Sequence, residues 1–399
     1  IAIMGEYDAL PGLSQVANIA EPKELEPGGH GHGCGHNLLG SAAMLAAAGL
    51  KDWLEKTGTP GRVRYYGCPA EEGGAAKGFM VRAGAFDDVD AAVTWHPAGV
   101  TKVQLANSLA NTRIDFSFTG RSSHASSAPH LGRSALDAVE LMNVGVNYMR
   151  EHMPPDARIH YAVLDAGGVA PNVVQGFAKV RYAVRARELG TMQALVERVK
   201  KVAEGAALMT ETSVKAQIVS AVSNMLDNEP MRRTMYENMQ RLGGVPFDAT
   251  DRKYAAEIQA TLTAEDIGSE YRKAGVEERE DTPLCDFVVP FDAQGVSMPG
   301  STDVSDVSWV VPTIEARVAT HAIGTPGHSW QITAQGKAPA AHKGMIYAAK
   351  AMAGTAVDLV RDADLLAAAK ADHAARTAKV PYQCPIPNDV QPPLQPRPE

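Results

Sequence analysis

His30-Gly31-His32-Gly33-Cys34-Gly35-His36-Asn37 is the stretch on which the reading of this chain turns. Imidazole and thiol side chains alternate with glycine, and an apolar helical pattern from Leu38 to Leu50 begins where the stretch ends. Cys34 and His36 are two residues apart and cannot share one face of a helix, so the segment reads as a loop that turns side chains toward a common point. Glycine lets such a backbone wrap closely around a small object. Asn37 is the expected N-cap of the helix, which would aim its free N–H groups back at the loop. Thiolate with imidazole suits zinc or another borderline first-row metal better than calcium or magnesium. The competing reading is a glycine-rich turn with incidental histidines, because short Cys/His motifs arise by chance. The segment does not close a metal site alone, and further ligands must come from elsewhere.

The whole chain sets outer limits. Its 399 residues suggest two or three compact units. Apolar content of 45% and charged content of 21% are those of an ordinary globular protein. A net charge of −8, with no basic run, makes nucleic acid and anionic membrane poor partners. No run of 18 apolar residues appears, so no transmembrane helix is expected. Cys34, Cys68, Cys285 and Cys384 show no framework spacing, which favours free thiols, a reducing compartment and, by default, the cytoplasm. The chain opens on Ile1 inside an apparent strand without an initiator Met, and is expected to lack its natural start.

From residue 1 to 111, strands alternate with helices. A strand at 1–5 runs into Glu6-Tyr7-Asp8-Ala9-Leu10-Pro11, and a long irregular loop covers 12–29. Helix 38–56 leads to a strand at 62–68, stopped by Pro69-Ala70-Glu71-Glu72-Gly73-Gly74. A helix near 75–84 and a strand at 91–96, stopped by Pro97, complete the pattern. Polar residues at strand ends are where α/β sheets gather their sites. Residues 112–220 change character. The order strand, helix, strand, strand, helix, strand is that of a ferredoxin-like unit inserted into the first domain. The expected organisation is therefore an α/β catalytic domain, 1–111 and 221–399, whose mixed sheet is flanked by helices, with an inserted α+β domain at 112–220. Charged helices fill 229–276, Pro299-Gly300-Ser301-Thr302-Asp303 leads into Val307–Val311, a helix pair covers 338–360 and 363–377, and a proline-rich tail starts at Pro381.

The strand-end residues collect as Cys34, His36, Glu71, Glu72, His96 and His328. Adjacent Glu71 and Glu72 are informative, because one can ligate metal while the other works on metal-activated water and passes its proton to a leaving amine. A solvated surface pair is the ordinary alternative for two acids. His96, taken alone, fits a packed core histidine.

HGCGHN, PAEEGG, WHP, GRSSHAS, PNVV, GSTDVSDVSWVVPT and GTPGHSW occur in this order. Together they resemble the aminoacylase/carboxypeptidase family of two-metal amidohydrolases over nearly the whole chain to about residue 360. GEYDALPG and HGCGHNLLG resemble its p-aminobenzoyl-glutamate hydrolase branch. The resemblance implies a two-metal exopeptidase-like catalytic domain holding two divalent ions, zinc or manganese and possibly cobalt, on Cys34, His36, Glu72, His96 and His328. It implies that Glu71 is the general base and that Asp8 orients a ligand histidine. It makes the inserted domain a dimerisation or lid domain, with His124 reaching a neighbouring subunit to stabilise the oxyanion. Asn172 and Arg185 would hold the substrate carboxylate. The implied substrate is a small N-acyl or N-aroyl amino acid, most simply one like p-aminobenzoyl-glutamate. The implied assembly is a homodimer or a heteromer with a paralogous subunit. A dipeptidase, an indole-acetyl-amino-acid hydrolase, a noncatalytic partner subunit and a structural zinc protein are the alternatives. Many relatives carry Asp where this chain has Asn37. His30 and His32 are read as loop residues or outer partners of the ligands, and His130, His152, His160, His321, His342 and His373 as surface or packing residues.

Overall fold

The computed structural model describes residues 1–103, 107–295, 300–378, 380–392 and 394. Pro299 and part of the proline-rich tail lie outside the described residues. The chain forms two compact units: Ile1–Asn107, Leu226–Met298 and Val307–Tyr382 make the first, and Ser108–Met225, Pro299–Asp306 and Gln383–Glu399 the second. The described residues 300–306 thus group with the second unit rather than with the flanking chain.

The strands are β1 (Ala2–Glu6), β2 (Arg64–Cys68), β3 (Ala92–Ala98), β4 (Lys102–Val103), β5 (Ala110–Thr119), β6 (Arg158–Asp165), β7 (Phe177–Ala186), β8 (Ser213–Val222) and β9 (Thr313–Ala319). The helices are α1 (His36–Thr57), α2 (Glu71–Gly74), α3 (Ala76–Arg82), α4 (Ala135–Met149), α5 (Leu189–Thr210), α6 (Glu229–Leu242), α7 (Ala249–Gln259), α8 (Ala264–Ala274), α9 (Val304–Val310), α10 (Trp330–Gln335), α11 (Pro339–Arg361) and α12 (Ala363–Thr377).

In the first unit the sheet order is β2-β1-β3-β9-β4. The first four run parallel and β4 is antiparallel to β9, a mixed α/β sheet. Every residue of β1 is buried, as expected for a strand covered on both faces. Leu38, Leu39, Ala42, Ala43, Ala46 and Leu50 of α1 join Ile3, Val93, Trp95, Ile314 and Met352 in one core. Two local features differ from the sequence expectation. Asn37 does not cap α1. The helix starts two residues earlier, at His36, with Gly35 as N-cap at φ +80°, and Asn37 Nδ2 instead donates to Gly336 O at 3.0 Å. Pro97 does not stop β3, which continues to Ala98. Beyond Val93 this strand pairs with β9 and no longer with β1, so Pro97 occupies an edge-like position where a missing N–H is tolerated.

In the second unit, β5-α4-β6-β7-α5-β8 folds into an antiparallel sheet of order β6-β7-β5-β8, a ferredoxin-like arrangement. Ile114, Phe116 and Phe118 alternate into its core with Val180, Tyr182 and Val184. Between them, Asp115 projects to the other face and pairs with Arg181 at 2.6 Å and Lys179 at 2.8 Å. β6 is an edge strand with Tyr161, Val163 and Leu164 exposed. Among the described residues, no helix is long and apolar enough to cross a membrane.

Candidate metal centre

The glycines of the opening stretch fit the backbone tightly. A Cβ on Gly31 would sit 1.8 Å from Leu13 O, and Gly31 exchanges both backbone hydrogen bonds with Leu10. This ties the Cys/His loop to the turn at the carboxyl end of β1. Gly35 then makes the left-handed turn that L side chains resist, and sets Cys34 and His36 on its two sides.

His36, Cys34 and His96 meet at the carboxyl ends of β1 and β3. His36 Nδ1 lies 3.0 Å from Asp8 Oδ1, and a carboxylate can only accept, so this nitrogen carries the proton. His96 Nδ1 likewise donates to Pro97 O at 2.7 Å. In each neutral ring the lone pair is thereby left on Nε2. His96 Nε2 lies 3.3 Å from Cys34 Sγ. His36 Nε2 is fully buried and, among the described residues, makes no hydrogen bond. Asp8 also accepts from Glu72 N at 2.9 Å, so one carboxylate braces residues on both sides of the centre.

Glu71 and Glu72 were expected in a loop, but they open the single turn α2, flanked by Ala70 at φ +54° and Ala75 at φ +53°. In that turn the two acids diverge. Glu72 Oε2 lies 3.3 Å from His328 Nε2, and Glu71 faces Glu6 and His36. His328 is itself left-handed, at φ +56°, and its N–H donates to Gly33 O at 2.9 Å, which fastens it to the Cys/His loop.

Cys34, His36 and His96 form one group of convergent donors, Cys34, Glu72 and His328 a second, and Glu6, His36 and Glu71 a third. Cys34 belongs to the first two. Burial and then the nearby Glu72, Glu71 and Glu6 carboxylates push its thiol well above the usual range. Burial and then Arg317 hold His96 well below the ordinary imidazole value, so its Nε2 lone pair is available. Burial alone would lower His36, but the Asp8 hydrogen bond and the Glu6 charge raise it overall. Burial alone would raise Asp8, but His36 and the Glu72 N–H lower it. Carboxylates thus crowd a thiol, an environment that added positive charge makes favourable.

His124, Asn172 and Arg185 belong to the second unit. His124 is bridged to Val173, Ala125 N donates to Asn172 O at 2.9 Å, and Val174 N to Ser123 O at 3.0 Å, so GRSSHAS and PNVV meet. The N–H groups of Ser126 and Ser127 point at His124 Nδ1, at 3.3 and 3.2 Å. The ring proton therefore sits on Nε2, an exposed donor. Arg185 does not join them. It lies at the other end of β7 from Phe177, eight residues or roughly 26 Å along the strand. Its guanidinium donates to Ser301 Oγ at 3.1 Å.

A model of peptidase family M20/M25/M40 matches residues 2–314. The chain belongs to that family. It is 47% identical over 402 residues to one of the subunits of p-aminobenzoyl-glutamate hydrolase from Escherichia coli (strain K12), covering 98% of this chain and 84% of that protein. It is 29% identical to a Xaa-Arg dipeptidase of Mus musculus, covering 90% of this chain and 70% of that one. A Bacillus subtilis structure, a dinuclear metal binding peptidase of the M20 family, superposes with a TM-score of 0.55 at 18% identity, covering 90% of this chain and 81% of that one. As an M20 member the chain is a hydrolase of amide bonds.

The donor set fits a dinuclear M20 centre. Zinc bonds of about 2.0–2.1 Å to nitrogen or oxygen and 2.3 Å to sulfur, at tetrahedral angles, place neighbouring ligand atoms roughly 3.3–3.6 Å apart. The Cys34–His96 and Glu72–His328 separations of 3.3 Å lie at the near edge of that range. Sequence reasoning missed Glu6 and Lys77. Glu6 was absorbed into the reading of a strand end, and Lys77 sits in an otherwise ordinary helix start. The position of Glu6, at the end of β1 and two residues before Asp8, was the available signal.

Proposed function

We propose that the chain hydrolyses the amide bond of an N-acyl or N-aroyl amino acid, with p-aminobenzoyl-glutamate as the first substrate to consider. The observation that carries this reading is the pair of donor groups sharing Cys34, with Glu71 beside them and outside both. Cys34, His36 and His96 would hold one divalent ion and Glu72 and His328 the other, with Cys34 within reach of both groups. Zinc or manganese suits this set of thiolate, imidazole and carboxylate. When bound, the ions supply Lewis acidity that polarises a carbonyl and acidifies water. Asp8 fixes the orientation of ligands on both sides.

Glu71 takes the proton of the attacking water as the C–O bond forms, and delivers it to the amide nitrogen as the C–N bond breaks. The products are a carboxylic acid and a free amino acid. His124, with its proton on Nε2, is the donor for the oxyanion. Asn172 lies beside it, and Arg185 is the fork for the substrate carboxylate. Arg185 lies roughly 26 Å along β7 from Phe177, while His124 pairs with Val173, ahead of that strand's start, so a small substrate touching both would draw them from different chains. The unpaired edge of β6 offers a route to such a dimer. The second unit is then a dimerisation and lid domain, and a paralogous chain could supply the distant end, in keeping with a relative named as a subunit. The cytoplasm remains the proposed location.

The test is release of p-aminobenzoate from p-aminobenzoyl-glutamate by protein loaded with Mn²⁺ or Zn²⁺. Activity abolished by chelator and restored by metal is the expected result. A chain that binds two ions yet releases amino acids only from dipeptides would move the substrate to the dipeptidase side, toward which the mouse relative points.

A further inference from the structure

In the second unit, α4 and α5 cover one face of the sheet, the face into which Ile114, Phe116, Val180 and Tyr182 point. Side chains alternate along a strand, so the residues between these share the opposite face. That face is basic, on a chain whose net charge is −8. In one row Asp115 is already matched by Arg181 and Lys179. Further along, the register sets Arg158 and Asn111 on either side of Arg185, and His160 and Arg113 on either side of Ala183. Ala183 is thus a small floor with long basic side chains around it. Diagonal neighbours on such a face lie roughly 7–8 Å apart, within reach of long side chains, which brings Arg113 and Arg185 within range of each other. Burial and then the Arg113 charge lower Arg185. Among the described residues, neither Arg158 nor Arg185 binds a carboxylate: Arg158 donates to Pro155 O and Ala157 O, both at 2.7 Å, and Arg185 to Ser301 Oγ at 3.1 Å. Asn111 Oδ1, on the residue opposite Arg185, is buried and makes no hydrogen bond among the described residues. A buried acceptor of this kind is costly until a donor reaches it.

Like charges set this close favour a ligand carrying two negative charges over one carrying a single carboxylate. We propose that Arg113 is a specificity-determining residue, which holds the side-chain carboxylate of an acidic amino acid whose α-carboxylate is held by Arg185. This rests on the reading of Arg185 given above and names the substrate class of that site: N-acyl derivatives of glutamate or aspartate rather than of neutral amino acids. Arg158, exposed at the rim, adds positive potential that draws a dianion in. The amide N–H next to the α-carboxylate supplies Asn111 Oδ1 with the donor it lacks.

The test compares p-aminobenzoyl-glutamate with p-aminobenzoyl-glutamine, which differ only at the side-chain carboxylate, on the full metal-loaded chain. Wild type is expected to favour the glutamate compound at least tenfold in kcat/KM. Arg113→Gln should cut that preference at least tenfold, mainly through KM, and Arg113→Lys should keep part of it. Arg185→Gln should instead lower kcat/KM on both compounds. Calorimetric titration of the two compounds into chains carrying Glu71→Gln reads the same preference as affinity, without turnover. If Arg113→Gln does not fold, Arg113→Lys carries the test, with the preference falling at least threefold. A preference that Arg113→Gln leaves within threefold of wild type overturns the role of Arg113. So does a wild-type chain that binds and cleaves both compounds equally well within threefold. Cleavage of neither compound refutes the hydrolase reading instead, and the affinity preference, lost or kept in Arg113→Gln, still decides the role of Arg113.

Discussion

Asp8→Ala separates an orienting carboxylate from a passive one. Asp8 accepts two hydrogen bonds at the centre, from His36 Nδ1 at 3.0 Å and from Glu72 N at 2.9 Å. Each involves a charged acceptor, for which about 1.5–3 kcal/mol is typical. The sum, about 3–6 kcal/mol, is a ceiling, because the Asp8 side chain is 17% exposed and water can replace part of what is lost. Removing such an outer partner ordinarily lowers metal affinity about 10–100-fold, which corresponds to about 1.4–2.8 kcal/mol. His36 and Glu72 share no donor group, so a single substitution should weaken both ions. Competition titration with Zn²⁺ measures the two affinities separately. Asp8→Asn should be milder at His36, where its carbonyl oxygen still accepts, and worse at Glu72, where its NH₂ meets the backbone N–H. Affinities within threefold of wild type at both positions, or a loss confined to one, would refute the reasoning that one carboxylate braces both sides.

Further outcomes follow from the same geometry. Glu71→Gln should retain both ions by elemental analysis while kcat falls about 10²–10⁴-fold, the usual contribution of a general base. His124→Ala should lower kcat with metal content unchanged, and mixing it with Glu71→Gln should restore activity if the two residues act across a dimer; no restoration after subunit exchange would place them in one chain. Gly35→Ala, at φ +80°, should destabilise the protein by about 1–2 kcal/mol in denaturant melts, because an L side chain resists that turn. Burial alone would raise Asp115, but Arg181 and Lys179 lower it. A folded pKa below the unfolded one, about 3.9, gives stability present above that value and lost as pH falls through the folded pKa. Asp115→Asn should therefore flatten the acid limb of a pH-stability profile while destabilising the protein near neutrality.

The sheet and the inserted unit were legible in the sequence because their signals are periodic. Ile114, Phe116 and Phe118 alternate, and Leu38 to Leu50 follow a helical stripe, so each announces its own burial. The donors were legible for another reason: Cys34, His36, Glu72, His96 and His328 are residue types that rarely gather at strand ends without chemistry. What stayed hidden depends on contacts distant in sequence. Asn37 looks like a cap by composition, yet its partner is Gly336, 299 residues away. Pro97 looks like a stop until the loss of β1 as a neighbour makes its position edge-like. Glu6 and Lys77, 71 residues apart, form a buried pair that no local pattern encodes.

The turn that carries Glu71 and Glu72 is held between two alanines in the left-handed region, each at a cost of about 1–2 kcal/mol that glycine would avoid. The surrounding structure must supply that energy, in part through Asp8, which accepts from Glu72 N at 2.9 Å, and an ion on Glu72 would add to it. A chain short of metal would then loosen first at this turn, opening the backbone between Ala70 and Ala75 to proteases. Limited proteolysis of the full chain with and without Zn²⁺ would show this as cleavage between Ala70 and Ala75 that added metal suppresses.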